Sequence, residues 1–319
     1  MKALLFDKYG TPDDLHLEDV EIPAPRKNEV LVRVKACSIN SWDNELLQGI
    51  PFANRFMFGL FRPKKILTLG SDIAGVVEAV GSNVKKFRVG DEVFGDQSQA
   101  NWGGFAEYTC APEKKLIHKP EKLSFAQAAA MPQAGVLALQ ALRNFARVKP
   151  GQKVLISGAG GGSGSFGIQL AKMYGAEVTA VDTADKFEFM KSLGADHAID
   201  YYKEDYTRTG KYDVIIDNTA TRYVREYRRA LRPGGVFGMV GGRSGSIFNV
   251  MFLGPFVSFG KKIGVVMHRD NKGLEELTQL VTSGKIKVCI DKVFPLQQGV
   301  EAFRYFAGNK FRGKVVIAE

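Results

Sequence analysis

Through the first third of the chain, apolar and polar residues alternate in short runs separated by glycine and proline. Residues 30–36, 74–81, 91–95 and 104–108 each read as a β-strand. From Ser124 the period lengthens, and residues 124–130 open a helix with Ser124 as its N-cap. Strands and helices then take turns. Strands are predicted over 153–157, 177–181, 198–199, 214–216 and 236–240, with helices over 163–174, 186–193 and near 224–231. Such alternation predicts an α/β fold with a doubly wound parallel sheet. The tail over 313–317 is strand-like again and is expected to return to the β-rich part. The boundaries that follow are 1–123 with 268–319 for the β-rich domain, and 124–267 for the parallel-sheet domain.

Composition narrows the class further. A chain of 319 residues exceeds one ordinary core and suits two domains. It is 45% hydrophobic and 24% charged, as in a water-soluble globular protein. The run Met1–Phe6 meets Asp7 at once, unlike a secretory leader. The longest apolar stretch, 247–259, is interrupted by Asn249, Gly254 and Pro255, so no transmembrane segment is expected. Three scattered cysteines, Cys37, Cys110 and Cys289, suit a reducing compartment, and a cytoplasmic location is expected. The net charge of +10 raises polyanion binding as an alternative. The basic residues are dispersed, however, and no nucleic-acid motif surrounds them, so no nucleic-acid partner is expected.

The strand ending at Ser157 runs into a glycine-rich turn and then an apolar helix. Two registers fit: Ala159-x-Gly161-x-x-Gly164, or a shift of three residues to Gly162-x-Gly164-x-x-Gly167. The first is preferred, because a dinucleotide turn leaves its strand directly and aims helix N–H groups at the pyrophosphate. Glycine spacing alone is weak evidence, but strand, helix and a downstream acid together make it strong. That acid is Asp182, 21 residues beyond Gly161, placed to take the adenosine ribose hydroxyls and to favour NAD(H). Lys186 and Tyr201 argue the other way, since both are candidates for a ribose phosphate. The cofactor is therefore expected to be NAD(P)H with its phosphate open. Ala159, Gly161, Gly162, Ser163, Gly164, Asp182, Thr183, Lys186, Tyr201, Asn218, Val240, Gly241 and Arg312 are its candidate contacts; for Arg312 and Lys186, a solvated surface charge is the plain alternative.

Several segments in family order carry a resemblance. They include Val34-Lys35-Ala36-Cys37-Ser38-Ile39-Asn40-Ser41-Trp42-Asp43 and Leu69-Gly70-Ser71-Asp72-Ile73-Ala74-Gly75-Val76-Val77-Glu78. Val89-Gly90-Asp91-Glu92-Val93-Phe94-Gly95, Ala130-Met131-Pro132-Gln133-Ala134-Gly135 and Gly313-Lys314-Val315-Val316 continue it. Together they resemble a medium-chain dehydrogenase/reductase of the zinc-free quinone oxidoreductase group. The resemblance implies a GroES-like β-rich barrel domain joined to a Rossmann domain, and a homodimer. Zinc-dependent relatives hold their ion with three thiolate or imidazole ligands. At the matching positions this chain has Asn40, Ser71 and Gln133, whose neutral groups are poor zinc ligands, so no metal is expected.

Without a metal, a nicotinamide suits an acceptor that is already electron-poor, such as a quinone or an α,β-unsaturated carbonyl. A small apolar acceptor of that kind is the expected partner. Asn40 is the first catalytic candidate, as a donor to the substrate oxygen or to the nicotinamide ribose, and Asp43 is the second. A capping role is the competing reading for Asp43. In the family pattern a tyrosine often follows this segment as a proton donor; residues 44–47 contain none, which leaves solvent as the source. Cys37 reads as a small buried hydrophobe rather than a reactive thiol. The aromatic and basic stretch 50–65 and the apolar stretch 247–259 are expected to wall an acceptor pocket; a membrane-surface contact, ordinary packing and a subunit contact are the alternatives. Rival functions are a metal-free alcohol dehydrogenase and a cofactor-binding regulatory or polyanion-binding protein with vestigial catalysis.

Overall fold

The computed structural model describes residues 1–63 and 68–319. In chain order the strands are β1 (Lys2–Leu5), β2 (His16–Asp19), β3 (Glu29–Ile39), β4 (Asp72–Val80), β5 (Glu92–Asp96), β6 (Tyr108–Pro112) and β7 (Ile117–His118). Then come β8 (Lys153–Ser157), β9 (Glu177–Asp182), β10 (His197–Asp200), β11 (Tyr212–Asp217), β12 (Leu231–Met239) and β13 (Lys262–Val265), followed by β14 (Ile290–Phe294) and β15 (Lys314–Ala318). The helices are α1 (Ser41–Gln48), α2 (Ala53–Phe58), α3 (Phe125–Ala129), α4 (Pro132–Leu139), α5 (Gly162–Met173), α6 (Phe187–Ser192), α7 (Val224–Ala230), α8 (Ser244–Val257), α9 (Leu274–Thr282) and α10 (Gly299–Ala307). The chain divides into two compact units: Met1–Gln133 with Asp270–Thr282 and Val288–Glu319, and Ala134–Arg269 with Ser283–Lys287.

The first unit is the GroES-like one. Its main sheet runs β14-β15-β3-β4-β5-β7, with β6 also on β3. Strand β3 organises it. Along one edge its first half (Glu29 to Arg33) pairs with β6 and its second half (Ala36 to Ile39) with β15, while β4 pairs along the other. One long strand thus serves three partners, and this division is how a sheet bends toward a barrel. The alternation predicted over 30–36 is buried on both faces in the structure, because the strand is central. Residues 104–107, expected as the start of a strand, form only an isolated antiparallel bridge, Ala106 to Ala3; Phe105 is buried and bonds the backbones of Leu4 and Leu69, and the strand proper begins at Tyr108. As expected, the tail returns to this unit as β15.

The second unit is the Rossmann-like one. Its sheet runs β10-β9-β8-β11-β12-β13, with every pairing parallel. The first strand β8 is central, flanked by β9 and β11, so the order reverses there and the turn after β8 opens at the switch point. Helix α5 buries Phe166, Ile168, Leu170 and Ala171. Gly167 lies against β8, where an added Cβ would stand 3.4 Å from Ile156 Cδ1. Helix α8 contains the apolar stretch read as a pocket wall; Phe248, Met251, Phe252 and Phe256 on it are exposed. In the other aromatic stretch, Phe52, Phe56 and Phe61 are exposed, Arg55 stacks on Tyr9, and Lys64 and Lys65 lie outside the described residues. No helix among the described residues is long and apolar enough to cross a membrane.

Candidate functional site

At one end of the first unit's sheet, neighbouring strands deliver a row of polar side chains into the interior. Registers Ser38↔Asp72, Val315↔Ile39 and Asp72↔Asp96 place the end of β3, the starts of β4 and β15 and the end of β5 side by side. Asn40, Asp43, Ser71, Asp72, Asp96 and Lys314 are all buried there. Asp72 is the hub. Its carboxylate accepts from Asn40 Nδ2 at 3.0 Å and from the Gln133 backbone N–H at 3.1 Å to each oxygen. Lys314 Nζ donates to Ile39 O at 3.1 Å and to Asn40 Oδ1. Asn40 is therefore gripped at both ends of its amide.

Asn40 is also the N-cap of α1, and Asp43 is the third residue of that helix. Asp43 Oδ2 accepts from Asn40 N–H and Oδ1 from Gly70 N–H, each at 2.8 Å. The structure thus gives Asp43 a capping and loop-clamping position, with both oxygens engaged. Burial pushes its carboxyl up to about 7. Burial likewise lifts Asp72, with Asp96 adding to it, and lowers Lys314, which Asp72 and Asp43 oppose. Cys37 is buried and its thiol is pushed well up, first by burial and then by Asp43 and Asp72, so it packs as an inert small residue. Two buried polar atoms beside Asp72 have no protein partner: Ser71 Oγ and Gln133 Nε2. Sites of this kind ask for a polar guest, because a buried donor left without a partner is costly.

The second unit holds the glycine turn. Strand β8 ends at Ser157, Gly158 takes φ +66°, and α5 starts at Gly162 with Gly161 as N-cap. The first helical bond runs from Ser165 N to Gly161 O at 2.9 Å, so Gly162, Ser163 and Gly164 carry N–H groups without helical acceptors. A Cβ on Gly164 would lie 2.3 Å from Gly158 O; only glycine permits this closeness. Asn218 flanks the turn, its Nδ2 donating to Ser157 O at 2.8 Å and its Oδ1 buried without a partner. Val240 and Gly241 follow β12, both backbone N–H groups donating to Asp217 O. The cradle suits an anionic dinucleotide: unpaired helix N–H groups, no side chain in the way, and a free acceptor alongside.

Asp182 closes β9 as expected, whereas Lys186 is buried against it rather than solvated. Asp182 accepts from Gly160 N–H at 2.8 Å and Thr183 N–H at 2.9 Å, and pairs with Lys186 at 3.3 Å, both side chains being buried. Lys186 is thus neither a solvated surface residue nor opposed to Asp182; the short helical turn at Ala184–Lys186 folds it back across Gly160. Tyr201 packs against Tyr202 with ring centroids 4.5 Å apart and planes tilted by 47°, and its hydroxyl is pushed up by burial and by the neighbouring Tyr202. Arg312 belongs to the other unit and is exposed just before β15.

Comparison with known proteins agrees with both units. An alcohol dehydrogenase GroES-like domain model matches residues 26–121, and a zinc-binding dehydrogenase model matches 193–317. The 2-methylene-furan-3-one reductase of Solanum lycopersicum is 36% identical over 99% of this chain and 79% of its own length. The quinone oxidoreductase of Coxiella burnetii superposes with a TM-score of 0.91 at 33% identity, covering 100% of this chain and 99% of that one. The Escherichia coli quinone oxidoreductase complexed with NADPH superposes at 0.86 with 26% identity, over the whole of both chains. The chain belongs to the medium-chain dehydrogenase/reductases, in their quinone oxidoreductase group. It is an oxidoreductase. Of the buried polar row, the sequence pointed to Asn40 but not to Asp72 or Lys314, although both stand in the quoted family segments. On α1, burial alone pushes the Glu45 carboxyl up to about 7. The match to a zinc-binding model spans none of Asn40, Ser71 and Gln133.

Proposed function

We propose that this oxidoreductase uses NAD(P)H to reduce quinones or α,β-unsaturated carbonyls without zinc. The observation that carries the reading is the Asn40 amide, held by Lys314 at its oxygen and by Asp72 at its nitrogen. An amide nitrogen has two N–H bonds, and Asp72 takes one. The other is the donor offered to a carbonyl oxygen as negative charge develops on it. Ser71 Oγ and Gln133 Nε2, buried and unpartnered, supply further polarity for the same guest. NAD(P)H, when bound, supplies the hydride, and a proton from solvent completes the two-electron reduction. Gly162, Ser163 and Gly164 hold the pyrophosphate with their backbone N–H groups.

The same residues argue against zinc. Asn40 Oδ1 already faces the Lys314 ammonium, and a second cation beside it would be repelled. A hydroxyl and a second amide complete the set, against the thiolates and imidazoles that zinc selects. Among the described residues no three His, Cys, Asp or Glu side chains converge as a metal site. The similarity to a 2-methylene-furan-3-one reductase and to an enzyme solved with NADPH supports the conjugated-acceptor and nicotinamide parts. The test is oxidation of NADH and NADPH by purified protein across a panel of quinones and enones, with elemental analysis alongside. Turnover at less than stoichiometric zinc is expected. Alcohol-dependent reduction of NAD(P)+ with no quinone or enone turnover would overturn the reading, as would a tightly held equivalent of zinc.

A further inference from the structure

Lys314 is among the most thoroughly buried charged side chains of the protein, 3% exposed. It arrives on β15, one residue before Val315, which pairs with Ile39 on β3. Its Nζ therefore meets the end of β3, donating to Ile39 O and to Asn40 Oδ1. Asp43, Asp72, Asp96 and Cys37 are the titratable groups around it. A lysine placed only to offset those carboxylates would point its donors at them; this one points them at an amide oxygen and a backbone carbonyl.

The chemistry of that contact fixes the amide's orientation. With an ammonium at Oδ1 and a carboxylate at Nδ2, reversing the Asn40 amide would set NH2 against the ammonium and C=O against the carboxylate, which repels at both ends. Lys314 thus selects which end of Asn40 carries hydrogen. Its positive charge also draws electron density through the amide toward Oδ1, which strengthens the remaining N–H as a donor in a buried setting. We propose that Lys314 is a positioning residue for the reduction: it locks the Asn40 amide with its free N–H toward the acceptor oxygen and polarises that N–H. This rests on the reading of Asn40 as the donor to the acceptor.

The test compares Lys314→Met, Lys314→Gln, Asn40→Ala and the double variant Asn40→Ala/Lys314→Met. Single-turnover oxidation of NADPH by 1,4-benzoquinone is measured together with NADPH Kd, melting temperature and the side-chain amide resonances of Asn40. Wild-type turnover with the quinone is the control; its absence would sink the proposed function and not this assignment, which the amide resonances test without turnover. Lys314→Met is expected to slow the chemical step about 10- to 100-fold, on the scale of a lost oxyanion donor's support. NADPH Kd should stay within about twofold, since Lys314 lies in the other unit from the glycine turn. In the Asn40→Ala background the same change should add no further loss, and the Asn40 NH2 resonances should shift and exchange faster in Lys314→Met. Should Lys314→Met not fold, Lys314→Gln carries the test, with a smaller loss in rate because it keeps a donor without the charge. An equal loss with or without Asn40, unchanged Asn40 amide resonances, or a Lys314→Gln enzyme as fast as wild type would each overturn the proposal.

Discussion

Asp182 and Lys186 form a buried ion pair, 3.3 Å apart, directly beneath the dinucleotide turn at Gly160. Two residues that looked like rival readers of a ribose are thereby one structural unit. With its oxygens committed to Gly160, Thr183 and Lys186, Asp182 holds the turn in shape. Asp182→Ala should therefore raise KM for NADH and NADPH together. It should also lower stability, because one member of a buried ion pair and two backbone hydrogen-bond acceptors are removed together. Steady-state kinetics with both cofactors and a thermal melt check this. A shift of tenfold or more in the NADH-to-NADPH preference at unchanged stability would return Asp182 to the ribose.

Asn40→Ala should lower kcat about 10²- to 10³-fold with a quinone acceptor, the range seen when one oxyanion donor is removed. Because α1 keeps its Asp43 clamp on Gly70, the variant should remain folded. Rapid mixing with NADPH and quinone gives the rate. A kcat within threefold of wild type would exclude Asn40 as the donor.

Gly164 admits no side chain: an added Cβ would meet Gly158 O at 2.3 Å and Ala159 Cα at 2.5 Å, both backbone atoms. Gly164→Ala should cost about 1–3 kcal/mol, as overpacking does, and weaken NADPH by opening the turn. Fluorescence titration with NADPH and a denaturant melt read the two effects. Wild-type affinity in the alanine variant would speak against a dinucleotide at this turn in either register.

Glu45 gives a pH dependence whose sign follows from burial. Its folded carboxyl titrates at about 7, above the ordinary 4.5, so between those values the native state holds a proton that the unfolded chain has released. The stability Glu45 contributes is thus present below about 4.5 and is lost as pH rises through 7. Glu45→Gln should remove that decline, making the variant more stable than wild type at pH 8 and nearly equal at pH 4. Urea melts at the two values decide it, and parallel curves for the two proteins would count against the burial argument.

Much of this was legible in the residues. The turn was readable because strand, glycines, helix and acid are consecutive, and local spacing carries the geometry. Asp43 was half legible: an Asn40-x-x-Asp43 spacing is a capping pattern, but a loop partner such as Gly70 leaves no local trace. Lys314 was opaque as a site residue. Its bond to Asn40 spans 274 positions and depends on β15 pairing with the second half of β3, which no periodicity reports. Lys186 failed for a subtler reason. A helical start was expected to present it outward, whereas the short turn before α6 folds it back over Gly160.

The division of β3 among β4, β6 and β15 bears on the order of events during synthesis. Asn40, Asp72 and Asp96 emerge early, and the cation that closes their network arrives only with Lys314, more than two hundred residues later. Until then the nascent first unit must shelter the Asp72 and Asp96 carboxylates in an incomplete sheet, with one edge of β3 open over Ala36 to Ile39. The second unit, contiguous from Ala134 to Arg269 except for the short Ser283–Lys287 return, emerges in between. The enzyme's polar centre is thus assembled only once Lys314 has brought β15 against the second half of β3, after both flanks of the second unit have been made.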